Sequence, residues 1–234
     1  MSRIAGLIPK RNKGTPRLDA TTIARLLGTK QIVKDGFFFM ENQQSSAQLG
    51  SIQIVIDSSI FDAGDFPSPH KKLPDAQRVL LSISKIGIVR TLEKINGRFC
   101  LSVFDTKTNI LCLARDRFGL STLFYTCFDG LIAFSSRAKG LLALPGVSNE
   151  LDNSFLKAAA ATNYRFLDTN NTVSPFRNIK QVPPGAIVRF DDKKVQTERF
   201  ASLTVDGIKR SNKPTREEYI HLFYKAVSKR LRVA

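Results

Sequence analysis

Apolar and polar residues alternate between Phe99 and Val103, where Phe99, Leu101 and Val103 are separated by Cys100 and Ser102. That is the period of a half-buried strand. Further apolar runs follow within 95–145: I-L-C-L-A, then L-F-Y, then L-I-A-F. Thr106-Lys107-Thr108-Asn109 reads as a polar turn, and Asp129-Gly130 is a strong hairpin signal. The pattern predicts an antiparallel meander. A polar loop, Arg115-Asp116-Arg117-Phe118-Gly119, lies between two of its strands, and a short helix ends it over 141–145.

The rest of the chain reads with less contrast. Residues 1–8 are apolar and predict a first strand buried in the fold, which places Ser2 inside a structured site. Residues 18–27 predict a short helix with Ile23, Leu26 and Leu27 on one face and Asp19 or Thr21 as cap. Phe37-Phe38-Phe39-Met40 is a short buried strand, and 41–50 is polar and loop-like. Residues 51–56 alternate and predict a strand that runs into Asp57-Ser58-Ser59-Ile60-Phe61. A proline-bearing loop over 63–76 leads to a helix over 75–91, with Val79, Leu80, Ile83 and Ile86 inward and Gly87 as its weak point. A helix over 153–161 and two extended segments around Pro183-Pro184-Gly185 follow. The last helix begins at Thr215, which stands at capping-box spacing from Glu218. Its apolar face is Tyr219, Leu222, Phe223, Ala226 and Leu231.

Composition narrows the class. The chain has 234 residues, of which 42% are hydrophobic, enough for one large domain or one domain with an appendage. No apolar run is long enough to cross a bilayer, and the basic N-terminus lacks the apolar core of a secretory signal. Cys100, Cys112 and Cys127 are odd in number and without metal-ligand spacing, which predicts buried thiols in a reducing cytoplasm. The net charge of +16 concentrates at the two ends. Residues 1–34 hold eight Lys or Arg against one acid, and 207–234 hold eight against two. No recognition motif or aromatic-studded basic stripe accompanies the charge, so a solvated surface or an acidic protein partner is favoured over nucleic acid.

I-N-G-R-F-C-L-S-V-F-D (95–105), L-A-R-D-R-F-G-L (113–120), L-F-Y (123–125), F-S-S-R-A-K-G-L-L (134–142) and V-P-P-G (182–185) share their order and spacing with one family. The chain resembles the N-terminal domain of asparagine synthetases, a class II glutamine amidotransferase of the N-terminal-nucleophile hydrolase type. The resemblance implies an α+β fold with two facing antiparallel sheets flanked by helices over 1–202. It also implies a linker over 203–214, and over 215–234 the first helix of an ATP-dependent synthetase domain. That domain would be present in cis or as a separate subunit, with an S-G-G-x-D-S ATP-pyrophosphatase loop. ATP and Mg2+ are implied there, and no cofactor in this chain. A homodimer is compatible with this picture; a membrane partner is not expected.

The family's chemistry uses an N-terminal cysteine in a C-G-I-x-G context, whose own amine acts as base. An Asn-Gly pair forms the oxyanion hole, an R-H-R-G-P-D arginine grips the substrate carboxylate, and an Asp holds its amine. Alignment here puts Ser2 at the nucleophile position, with Arg3 where Gly stands in the family. Asp57-Ser58-Ser59 falls over Asn-Gly-Glu, and Asp75 matches the amine-binding Asp, although a helix N-cap accounts for it equally. Nothing over 14–50 resembles R-H-R-G-P-D. A carboxylate at Asp57 would repel an oxyanion, and a serine hydroxyl needs more activation than a thiol. The resemblance therefore implies a degenerate amidotransferase domain of an amide-forming enzyme. β-Lactam synthetases and lasso-peptide cyclases, whose amine comes from the substrate itself, are similar. Two alternatives stay open: a Ser-nucleophile N-terminal hydrolase acting on an amide, and a non-catalytic basic nucleic-acid-binding protein. In the first reading Ser2 packs against the strand end around 51–62, while Arg115, Asp116 and Gly119 brace loops or a domain interface.

Overall fold

The computed structural model describes residues 4–9, 31–33, 37–40, 45–61, 73–162, 172–191, 194–201 and 215–231. Twelve strands and five helices are defined among them. One sheet contains β1 (Ile4–Pro9), β2 (Gln31–Val33), β3 (Phe37–Met40), β8 (Phe124–Phe128), β9 (Leu131–Ser135) and β10 (Lys180–Gln181), in the order β10-β8-β9-β1-β3-β2. The second contains β4 (Ser46–Leu49), β5 (Ile52–Ile60), β6 (Gly97–Asp105), β7 (Ile110–Arg115), β11 (Ala186–Phe190) and β12 (Val195–Arg199), in the order β12-β11-β7-β6-β5-β4. Every pairing is antiparallel.

Side-chain period decides the layers. Along β5 and β6, Ile54, Ile56, Ile60, Phe99, Leu101 and Val103 point to one side and pack on helices α1 (Asp75–Ile86) and α2 (Ile88–Lys94). Val55, Cys100 and Phe104 point to the other and meet Ile4, Ile8, Ile132 and Phe134 of the facing sheet. The outer face of that sheet, with Ala5, Leu7 and Ala133, is covered by Leu141 and Leu144, on and just past α3 (Ala138–Leu142). The result is an α+β sandwich, as the resemblance implies.

The structure corrects the sequence reading in several places. The residues 95–145 are not one meander. β6–β7 is a hairpin of the second sheet and β8–β9 a hairpin of the first, and the polar loop after Arg115 carries the chain from one sheet to the other. Likewise Pro183-Pro184-Gly185 joins strands of different sheets. Apolar periodicity reports which residues are inside, not which sheet they join. Asp129-Gly130 does make the tight hairpin, with φ of 44° and 76°, the left-handed pair a type I′ turn requires.

Residues 46–49, inside the stretch expected as a polar loop, form strand β4: they alternate as Ser-Ala-Gln-Leu, pair to β5 at the sheet edge, and Ala47 packs on the core. The helix expected over 75–91 is two helices. Gly87, at φ 82°, leaves the helical region and interrupts the hydrogen-bond ladder. Cys127 is exposed rather than buried, since its neighbour Thr126 takes the inward position and donates to the Asn178 carbonyl at 2.7 Å. The helix expected over 18–27 and the linker over 203–214 lie outside the described residues.

The last helix, α5 (Arg216–Leu231), carries the expected capping box. The Thr215 amide donates to the Glu218 carboxylate at 2.9 Å, and the Glu218 amide donates to the Thr215 hydroxyl at 3.2 Å. None of its residues is buried. Among the described residues no helix is long and apolar enough to cross a membrane.

Candidate functional site

β5 pairs with β6 along its whole length, from Ile52 opposite Asp105 to Ile60 opposite Gly97. The alternation predicts a strand to residue 56; the ladder carries it on to Ile60, so Asp57, Ser58 and Ser59 are strand residues. Gly97 permits this. A Cβ there would stand 2.5 Å from the Ser59 carbonyl oxygen and 2.9 Å from the Ile60 Cα. Strand period then sends Asp57 and Ser58 to opposite faces of the sheet. Two separate polar clusters result.

Asp57 faces the interior between the sheets, on the Val55 side, and is buried. Its carboxylate lies 3.7 Å from the Arg98 guanidinium. Arg98 sits on the same face of the neighbouring strand and also donates to the Ser121 hydroxyl at 3.4 Å. Directly opposite Asp57 is Cys100, fully buried. Burial first, and then the Asp57 charge, push the Cys100 thiol far above the ordinary range. Such a thiol is protonated at neutral pH and cannot replace an N-terminal cysteine as nucleophile. Cys112 is pushed up to about 11, again mainly by burial. One thiol of the three, Cys127, is therefore expected to react with an alkylating reagent at pH 8 in the folded protein, and all three in denaturant. Peptide mapping after iodoacetamide checks this; rapid labelling of Cys100 in the native state would contradict it.

Ser58 faces the helices. Its hydroxyl donates to the Asp75 carboxylate at 2.8 Å, and Arg78 donates to the other oxygen of Asp75 at 3.2 Å. Asp75 is not the helix cap, which is Pro74 without a side-chain cap bond; it is the first helical residue. Its charge sits in the first turn, where the helix dipole favours it. Arg78 is only 4% exposed. The sequence reading missed both Arg78 and Arg98. A signal was present for the first: Asp75, Arg78 and Ser82 follow an i, i+3, i+7 stripe among the inward apolar residues, so polar groups had to meet on a buried face.

The third cluster is the crossing loop. Asp116 is completely buried and its carboxylate accepts four backbone N–H bonds: Phe99 at 3.3 Å, Phe118 at 3.1 Å, Leu120 at 2.9 Å and Ser121 at 2.8 Å. Arg115 donates to the carbonyls of Ser121, Val182 and Gly119, the last two at 3.2 and 2.7 Å. Burial lowers its pKa, an effect the adjacent Asp116 charge opposes. The Asp116 carbonyl accepts from Gly119 at 3.0 Å and from Gly185 at 2.9 Å. These bonds stitch the two passages of chain between the sheets to each other. Gly119 sits at φ 68°, and a Cβ there would meet Pro184 and Arg115 within 3 Å. All charged groups of Arg115 and Asp116 are thus turned onto backbone, where they hold the loops.

The structure therefore brings Ser58 and Asp75 together, sets Asp57 on the other face of the sheet with Arg98, and connects Arg98 through Ser121 to the crossing loop. Ser2 lies outside the described residues. No group of three or more His, Cys, Asp or Glu side chains comes together among the described residues to hold a metal ion.

Comparison with known proteins gives the same direction. A family model for a glutamine amidotransferase domain matches residues 69–201. The chain is 28% identical over 142 residues to asparagine synthetase [glutamine-hydrolyzing] 3 of Bacillus subtilis, covering 60% of this chain and 22% of that protein. It is 26% identical over 147 residues to asparagine synthetase [glutamine-hydrolyzing] 2 of the same organism, covering 58% and 19%. The chain thus spans about a fifth of the length of these relatives. Among solved structures, a glutamine phosphoribosylpyrophosphate amidotransferase from B. subtilis, complexed with ADP and GMP, superposes with a TM-score of 0.56 at 12% identity, covering 85% of this chain and 49% of that one. At that identity the likeness is one of fold.

Proposed function

The chain belongs to the glutamine amidotransferase domain family, and from that premise we propose that it is a degenerate member that has lost glutamine hydrolysis. It serves as the structural half of an asparagine-synthetase-like, ATP-dependent amide-forming enzyme. The observation that carries this reading is the state of the aligned site. An oxyanion hole needs a neutral donor aimed at developing negative charge, and losing one such donor costs about two to three orders of magnitude in rate. Asp57 offers a buried carboxylate instead, held against Arg98. Asp75, which would receive the substrate ammonium, is engaged by the Ser58 hydroxyl and the Arg78 guanidinium. A substrate amine would share the Asp75 carboxylate with the Arg78 cation rather than meet it unengaged.

The partner in this reading is an ATP-pyrophosphatase-type synthetase domain, in cis or as a separate subunit. It would supply the acyl-adenylate chemistry and hold ATP and Mg2+. In this reading the chain's own part is to fold, to dock and to present no competing glutaminase. The amine then comes from the substrate or from free ammonia.

Ammonia release from glutamine tests the first half of the proposal. Wild-type protein and Ser2→Ala are expected to give the same rate as buffer. Robust release from wild type that Ser2→Ala abolishes would overturn it and establish a Ser-nucleophile amide hydrolase.

A further inference from the structure

Each sheet ends on the same side of the sandwich, the first at edge strand β10 and the second at edge strand β12. Lys180 of β10 stands opposite Tyr125 of β8, so the two side chains share a face. That face looks toward the second sheet. The Tyr125 ring meets Phe190 edge-on at 5.2 Å, and Phe190 lies in the core between the sheets. Thr197 of β12 stands opposite Val188, another residue of that core, and faces back toward the first sheet. The sandwich opens here into a cleft of about 360 Å³, which Tyr125, Lys180 and Thr197 line from the two sheets. None of Asp57, Ser58 and Asp75 lines it.

The passage over 172–179 closes the cleft and is held by its own hydrogen bonds. The Ser174 hydroxyl donates to the Ile179 carbonyl at 2.7 Å and accepts from the Phe176 amide at 3.1 Å. The Thr172 carbonyl accepts from the Gln181 amide at 3.0 Å. Asp152, on the rim, accepts from the Phe155 amide at 2.9 Å, in the first turn of α4 (Asn153–Thr162). Arg177 pairs with Glu150 at 2.6 Å. A set of donors is left over. Among the described residues Lys180 makes no ion pair, and the hydroxyls of Tyr125 and Thr197 make no hydrogen bond. Burial, and then the nearby Cys127, raise the Tyr125 phenol above its ordinary value, which keeps it a donor at neutral pH. Val173, Phe176 and Pro183 add apolar wall. A preformed concavity with apolar walls and a few convergent donors is the layout of a small-molecule site.

We propose that this cleft binds a small monocarboxylate with an apolar body. The carboxylate meets the Lys180 ammonium and the Tyr125 hydroxyl, and the body lies against Val173, Phe176 and Pro183. The charge balance selects a monoanion: Arg177 and Lys180 stand against Asp152, an excess of one cation. A dianionic phosphate ester would bring more charge than the cleft offsets. Occupation of the cleft does not depend on the loss of glutaminase proposed above.

Calorimetric titration of the full chain with phenylacetate, in salt of about 0.15 M, tests this. Saturable one-to-one binding with a Kd below about 1 mM is expected. 2-Phenylethanol, a similar body without the charge, is expected to bind at least about tenfold more weakly. Lys180→Met and Tyr125→Phe are each expected to weaken phenylacetate about three- to tenfold while melting within about 2 °C of wild type. Lys107→Met, on the turn between β6 and β7, removes the same charge elsewhere and is expected to leave the Kd unchanged. Equal binding of acid and alcohol, or no saturation by about 10 mM acid, would overturn the proposal. An equal loss in the Lys107 and Lys180 variants would do so as well, by reducing the effect to attraction toward a body at +16. Tighter binding of phenyl phosphate or inorganic phosphate than of phenylacetate would overturn the assignment of a monocarboxylate. The acid and alcohol comparison needs no variant, so it decides the matter even where a substitution unfolds the chain.

Discussion

Replacing Asp116 by alanine is expected to leave the protein unfolded or insoluble. The carboxylate is completely buried and accepts N–H bonds from Phe99, Phe118, Leu120 and Ser121. Alanine offers none of these donors a partner, and the cavity is lined by backbone that cannot turn away. Each stranded buried donor costs about 1–3 kcal/mol. The bonds from Phe99 and Ser121 are buried and those from Phe118 and Leu120 half-buried, so the buried pair alone loses about 2–6 kcal/mol, a large part of the roughly 5–15 kcal/mol that holds a domain. Asparagine keeps the shape and one acceptor but turns an NH2 toward N–H donors, so Asp116→Asn is expected to fold with about 2–3 kcal/mol less stability. Guanidinium unfolding of wild type and the asparagine variant, with the slopes compared, measures this. A loss under about 1 kcal/mol for the asparagine variant, or a soluble alanine variant of native stability, would mean that the loop finds other partners for those amides.

Gly97→Ala is expected to be the second most damaging change, for a steric reason. The methyl group would stand 2.5 Å from the Ser59 carbonyl oxygen and 2.9 Å from the Ile60 Cα. Both are backbone atoms of the neighbouring strand, so no side chain can swing aside. Relief requires β5 and β6 to separate at the end that positions Asp57, Ser58 and the helix-facing Ile60. Overpacking of this kind costs about 1–3 kcal/mol, and backbone on both sides puts this site at the top of that range. For a chain of this size the fall in Tm is roughly 6–12 °C. Ser59→Ala, which leaves the carbonyl in place, is the control and is expected to change little. A Gly97→Ala variant melting within about 2 °C of wild type would show that the strands yield at this point.

Much of the fold was legible in the chain. Period-two alternation located β6. The Asp129-Gly130 pair located a hairpin because few residue pairs tolerate two successive left-handed conformations. Thr215 and Glu218 announced a helix start that rests only on neighbours in sequence. Edge strand β4 was not legible, since Ser46-Ala47-Gln48-Leu49 gives only four alternating positions inside a polar stretch. The break at Gly87 showed only as a weak point, because helix propensity does not say whether a glycine is bent or merely tolerated.

The candidate site divides along the same line. The sequence by itself determined which residue types stand at the aligned positions: a carboxylate at 57, hydroxyls at 2 and 58, a carboxylate at 75. It determined the family as well, since motif order and spacing survive in the primary chain. Only the tertiary structure decided that Asp57 and Ser58 part company across the sheet, that Arg98 comes to one and Asp75 with Arg78 to the other, and that Arg115 and Asp116 turn onto backbone carbonyls and amides. The stretch 95–145 shows the reason most plainly. Local spacing sets where strands and turns fall, because those depend on neighbours a few residues away. Which sheet each hairpin joins depends on strands far along the chain, β5 for the β6–β7 hairpin and β1 for the β8–β9 hairpin, and no local period encodes that.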